Sequence, residues 1–109
     1  MNLNKFDIVL VDFPFSDLSE IKKRPALVLK SLEGDNVLLC QITTKRRKIQ
    51  KYEIPLKRNS CQGNIMFDSF IYLDMIFTLH KKLIHRKIGS VTDKNVKDLL
   101  EEKYKETII

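Results

Sequence analysis

The apolar residues of this chain come in runs of at most four. They sit in short β-branched segments separated by proline, glycine and polar clusters, until a different spacing takes over near residue 92. Segments of this length cannot cross a membrane, and they read as strands rather than helices. Phe6–Phe13 (F-D-I-V-L-V-D-F) predicts a strand ended by Pro14. Ser16, Asp17, Ser19 and Glu20 make a polar loop running to Lys22-Lys23-Arg24. Pro25–Leu29 restarts an apolar run, with proline at the first strand position, where its missing donor costs least. Glu33-Gly34-Asp35-Asn36 is a turn signal before a third strand, Val37–Thr43. Thr44–Gln50 is a basic loop, and Tyr52–Leu56 predicts an edge strand because it contains Pro55. Gly63 breaks the chain before two more apolar runs, Ile65–Asp68 and Phe70–Thr78.

Beyond residue 91 the period becomes helical. Thr92 predicts a helix cap, with Asp93 in the first turn. Val96, Leu99, Leu100 and Tyr104 then form an apolar stripe against Lys94, Lys97, Asp98, Glu101 and Glu102. The expected architecture is mainly β in the α+β class: a small antiparallel sheet or barrel closed by a C-terminal helix. The 109 residues are the size of one domain, 1–109, and neither a repeat nor a linker divides them.

Composition enters through charge. Lys and Arg number 20 against 14 Asp and Glu, a net charge of +6. Residues 22–58 alone hold 11 bases and 3 acids, whereas residues 1–21 hold 1 base and 4 acids. Concentrated positive charge attracts polyanions, so nucleic acid or an acidic partner is one reading; a solvated face is the other. Cys40 and Cys61 show no metal-ligand spacing, and Cys40 sits in an apolar run as a small hydrophobe would. With no cleavable leader pattern at the N-terminus, the expected location is cytoplasmic.

Few residues suit catalysis. His80 and His85, five apart, face opposite sides of an extended segment, which argues against a two-histidine acid/base pair. No pair of carboxylates is forced together by a strand or turn, so neither metal nor cofactor is expected. Two places remain. Arg24, before Pro25, offers fixed donors and a permanent charge at a loop-to-strand boundary, which suits phosphate. Thr43 and Thr44 end the third strand where Lys45-Arg46-Arg47-Lys48 begins, so a hydroxyl stands beside a cluster able to hold a phosphodiester backbone. An ordinary exposed arginine and two β-favouring threonines would look the same in sequence.

Four stretches carry a resemblance: F-D-I-V-L-V-D-F-P-F-S-D-L-S (6–19), K-K-R-P-A-L-V-L (22–29), L-L-C-Q-I-T-T-K (38–45) and D-S-F-I-Y-L-D-M-I-F-T-L-H-K-K-L-I-H-R-K-I-G-S-V-T-D (68–93). Together they resemble the MazF/PemK family of bacterial toxins, PemK-like branch, from about residue 6 to residue 100. The resemblance implies an SH3-like antiparallel barrel with a C-terminal helix, assembled as a homodimer. It implies the toxin of a type II toxin–antitoxin module: a metal-independent endoribonuclease that cuts single-stranded mRNA and halts translation. Cleavage would use the substrate's 2′-OH, leaving 2′,3′-cyclic phosphate and 5′-OH ends. The family's catalytic arginine maps onto Arg24 and its catalytic threonine or serine onto Thr43. Ser69, Asp74 and Thr78 match channel-lining positions, and Lys23, Thr44, Lys45, Arg46, Arg47 and Lys48 would flank them as RNA-binding residues. An antitoxin with an acidic tail would occupy the same groove.

Arginine titrates too high to be a good general base, so Arg24 and Thr43 suit charge stabilisation better; Glu20 is a candidate base. The chain departs from relatives in having no glycine between Leu18 and Lys23. It also carries Met75 and Phe77 where well-known members have Gln and Arg. Phe77 is then either core or a base-stacking ring. The alternative function is a non-catalytic nucleic-acid-binding barrel, or a gyrase-poison-type toxin on the same fold.

Overall fold

The computed structural model describes residues 2–13 and 22–108. Seven strands form one antiparallel sheet: β1 (Asp7–Phe13), β2 (Lys22–Ser31), β3 (Asn36–Thr43), β4 (Glu53–Leu56), β5 (Cys61–Gly63), β6 (Ser69–His80) and β7 (Ile84–Val91), followed by helix α1 (Lys94–Ile108). Their spatial order is β4-β6-β3-β2-β1-β7-β5. Among the described residues, no helix is long and apolar enough to cross a membrane.

The sheet curls but does not close into the expected barrel. Its two edges, β4 and β5, are consecutive in the chain and are joined by a 3-10 turn, Arg58–Ser60, instead of a ladder. Both are short, and Pro55 removes a donor from β4, as its edge position requires. The seam is tied to the helix instead: the Ser60 carbonyl accepts the N–H groups of Thr92 (2.9 Å) and Asp93 (3.1 Å) and the Thr92 hydroxyl (3.3 Å). Thr92 is therefore not the cap. The Asp93 carboxylate caps α1 by accepting from the Asn95 (2.8 Å) and Val96 (3.4 Å) N–H groups.

The central strands are buried on both faces, which is why their sequences read as continuous apolar runs without alternation. Ile8, Leu27, Leu29, Cys40 and Ile42 join Ile54, Ile71 and Leu73 in one core, against which Val96, Leu100 and Tyr104 of α1 pack. Leu99 leaves the expected stripe and is 38% exposed. Val9, Val11, Ala26, Val28 and Leu39 point the other way into a second core with Val37, Leu79 and Ile84. Phe77 packs against that second core.

Other boundaries moved. β2 extends three residues ahead of Pro25, so the proline is interior and faces Leu10 of β1. Ile65–Asp68 is a loop, and the segment holding both histidines contains β7, which local pattern did not single out. Gly89 in β7 explains part of that segment: a Cβ there would lie 2.4 Å from the Gln62 carbonyl oxygen of β5. β6 carries a large bulge. Between adjacent β3 residues Cys40 and Gln41, the β6 partner jumps from Ile76 to Tyr72, so Leu73, Asp74 and Met75 leave the ladder.

Candidate functional site

Arg24 and Thr43 come from neighbouring strands. The β2–β3 ladder ends at the pair Ala26–Gln41, and Arg24 and Thr43 each lie two residues beyond that pair on their own strand, on the same face as it. Arg24 is half-buried and pairs with Val11 of β1 on its other side. Thr43, also half-buried, pairs with Phe70 of β6. Alternation then places a first row on one face of the sheet, Arg24, Thr43 and Phe70. The next row on that face is Ala26, Gln41, Tyr72 and Glu53, since Tyr72 pairs with Gln41 and with Glu53.

The loop leaving Thr43 folds over these rows. Thr43 Oγ1 accepts the Lys45 N–H at 3.1 Å, a local turn that starts the loop. The Arg46 guanidinium binds the Glu53 carboxylate through Nε (3.0 and 3.1 Å) and Nη2 (2.9 Å) and lies 5.5 Å from the centre of the Phe70 ring. The Arg47 guanidinium grips Asp74 with two 2.7 Å hydrogen bonds and stacks 4.5 Å above the Tyr72 ring. Tyr72 ties the two pairs together. Its hydroxyl donates to Glu53 Oε2 at 2.8 Å and accepts the Arg47 backbone N–H at 2.8 Å.

The titrations follow this geometry. The Arg46 hydrogen bonds, with help from Tyr72, hold the Glu53 carboxyl below its ordinary value against the opposing effect of desolvation. The Arg47 fork does the same to Asp74. Both guanidiniums are shifted upward by the same bonds. Burial, chiefly, pushes the Tyr72 hydroxyl up.

The expected site residues thus divide. Arg24, Thr43, Thr44, Lys45, Arg46, Arg47 and Asp74 are brought to one region, with Lys23 exposed beside Arg24 in β2. Lys45 and Lys48 are exposed, and no ion pair among the described residues involves either one. Ser69, whose hydroxyl donates to the Phe67 carbonyl at 3.3 Å, begins β6; Thr78 lies near its other end, opposite Leu38, so the strand holds them apart. Glu20 lies outside the described residues.

Sequence reading missed Glu53, Phe70 and Tyr72. A tyrosine in an otherwise apolar strand, F-I-Y-L-D, was the available signal, because a buried phenol needs a partner. The histidines go to separate carboxylates: His85 Nε2 lies 2.6 Å from Asp12 Oδ1, and His80 Nε2 lies 3.7 Å from Asp35. On the opposite face, behind Pro25 and Ile42, runs a groove of about 160 Å³ rimmed by Met66 and Phe67, which are 67% and 68% exposed.

Residues 4–102 match the family model described as PemK-like, MazF-like toxin of type II toxin–antitoxin system. No curated protein matches in sequence. Among solved structures, the chain is similar to a mycobacterial endoribonuclease in complex with its cognate antitoxin: TM-score 0.73 at 16% identity, covering 98% of this chain and 95% of that one. It is also similar to the Mycobacterium tuberculosis toxin MazF-mt6, with TM-score 0.70, 21% identity and coverage of 92% and 93%. For MazF from Deinococcus radiodurans the values are 0.68, 17%, 95% and 94%.

Proposed function

Because the chain belongs to the PemK-like, MazF-like toxins of type II toxin–antitoxin systems, we propose that it is an endoribonuclease acting on single-stranded mRNA. The observation that carries this reading is the shared sheet face of Arg24 and Thr43, with the loop lysines beside it.

Both residues supply donors without taking a covalent part. The substrate's own 2′-OH attacks the adjacent phosphorus; the O2′–P bond forms and the P–O5′ bond breaks. A 2′,3′-cyclic phosphate and a 5′-OH end result, with one proton leaving O2′ and one arriving at O5′. Charge grows on the non-bridging oxygens as phosphorus becomes pentacovalent. The Arg24 guanidinium and the Thr43 hydroxyl stabilise that charge, as fixed donors in a site away from bulk water do best. Glu20 is the candidate base for the O2′ proton. Attack by a neighbouring hydroxyl calls for no metal-bound water, which suits the metal-independent reaction that the family resemblance implies. Lys23, Thr44, Lys45 and Lys48 hold the flanking backbone, and Ser69, Asp74 and Thr78 border the RNA.

A homodimer in the cytoplasm, cutting mRNA and so stopping translation, is the working form. Its antagonist is an antitoxin whose acidic tail competes for the same cations; a solved relative is itself an endoribonuclease bound to its cognate antitoxin. The test incubates purified protein with long single-stranded RNA in EDTA, beside Arg24→Ala. Fragments with 5′-OH ends, lost in the variant, are expected. RNA left intact at high protein concentration overturns the reading.

A further inference from the structure

We propose that Tyr72 and Glu53 are positioning residues for the cleavage site, clamping the loop that starts at Thr43, and that Arg46 and Arg47 serve this clamp and do not contact RNA phosphate. The inference rests on the endoribonuclease reading above.

Three observations carry it. First, the clamp row (Gln41, Tyr72, Glu53) lies next to the Arg24–Thr43–Phe70 row on the same face, so whatever fixes one constrains the other. Second, the Tyr72 side chain is wholly buried, and its hydroxyl uses both its donor and an acceptor position on this loop and its partner: Glu53 Oε2 on one side, the Arg47 N–H on the other, each at 2.8 Å. A backbone N–H held by a buried phenol fixes the path of the chain, not merely a side chain. Third, each guanidinium has one bidentate edge taken by a carboxylate, Arg46 (Nε and Nη2) by Glu53 and Arg47 (Nη1 and Nη2) by Asp74, with an aromatic ring beneath it. A bidentate carboxylate occupies the geometry a phosphate would take. A phosphate taking that edge would displace the carboxylate and leave Glu53, whose side chain is 3% exposed, without its counter-charge, and the remaining donors belong to a cation whose charge is already neutralised.

The four-cation loop therefore divides its labour. Arg46 and Arg47 neutralise carboxylates of β4 and the β6 bulge and hold the loop down. Lys45 and Lys48 extend into solvent and contact the RNA backbone. Thr43, where the loop leaves the sheet, keeps its hydroxyl on the Arg24 face because the next turns cannot drift.

Tyr72→Phe is the probing variant, since it deletes one oxygen and keeps the ring. Amide exchange should accelerate at Arg47 and its loop neighbours without a global change. The single-turnover cleavage rate should fall by roughly tenfold, as expected for losing one charge-coupled hydrogen bond. The slope of log affinity for RNA against log salt should stay where it was. Lys45→Ala and Lys48→Ala should each flatten that slope by about 0.7, whereas Arg46→Gln should not. Unchanged exchange at Arg47, a cleavage rate in Tyr72→Phe equal to the parent's, or a slope flattened by Arg46→Gln would each overturn the inference while leaving the endoribonuclease reading intact. A parent protein that never cleaves RNA overturns both, and is recognised because exchange still responds to Tyr72→Phe.

Discussion

The Arg47 guanidinium meets the Asp74 carboxylate fork to fork, both N···O distances being 2.7 Å, although the two residues stand 27 positions apart. Asp74 reaches it only because the β6 bulge lifts residues Leu73 to Met75 out of the ladder. What looks in sequence like a run of four free cations is, in the fold, two cations and two neutralised pairs.

Thr43 is the residue on which hydroxyl chemistry is most directly tested. Thr43→Ala should lower the cleavage rate by about 10²-fold or more, the usual cost of removing one donor to a developing oxyanion. Thr43→Ser should keep most of the rate, since the hydroxyl remains. Gel-resolved single-turnover cleavage, with thermal melting as a control for folding, checks both.

Acid should destabilise the protein through Glu53 and Asp74. Both are held below their ordinary values in the fold, so their stabilising contribution is complete above the unfolded pKa values of about 4 and is lost as pH falls toward the folded ones. Melting temperature should therefore drop on going from about pH 5 to about pH 3. In a Glu53→Gln/Asp74→Asn double variant the drop over that window should be shallower.

Gly89→Ala should cost stability because a Cβ at this position meets backbone, the Gln62 carbonyl oxygen at 2.4 Å, with Ile65 Cδ1 at 3.0 Å. The penalty expected for such overpacking is about 1–3 kcal/mol, a fall in melting temperature of roughly 4–8 °C per kcal/mol in a chain of this size. Gly34, where a Cβ would meet nothing within 4 Å, gives the contrast: only its φ of +84° opposes a side chain, so Gly34→Asn should show a purely conformational cost, smaller than that of Gly89→Ala because Asn tolerates positive φ better than most residues. Calorimetry on the two variants separates steric from conformational cost.

The two thiols should react differently. Cys40 is fully buried and Cys61 partly so, and burial pushes both thiols up, away from the reactive thiolate. A disulfide reagent near pH 8 should label Cys61 slowly and Cys40 only after denaturant is added. Equal native labelling of both would contradict the packing of Cys40.

Several elements are legible in the sequence alone. The edge role of β4 follows from Pro55, the C-terminal helix from the spacing of Val96, Leu100 and Tyr104, and the buried thiol from its apolar neighbours. The cap moved by one residue because the Asp93 carboxylate takes the Asn95 and Val96 N–H groups, while the Thr92 hydroxyl donates to the Ser60 carbonyl, 32 positions away. β7 escaped notice because its exposed residues, His85, Arg86 and Lys87, hide the strand pattern locally.

What the chain by itself determined was what near neighbours decide: the first strands in order, a turn at Gly34, a helix with one apolar face, and a positive charge concentrated in residues 22–58. What only the tertiary structure decided was which charges meet. Register put Arg24 and Thr43 on one face, a bulge carried Asp74 to Arg47, and the pairing of β4 with β6 set Glu53 beside Tyr72 under Arg46. The reason is physical. Backbone preference and hydrophobic period act over a few residues, whereas ion pairing depends on ångström-scale distances between strands, and those exist only once the sheet has formed.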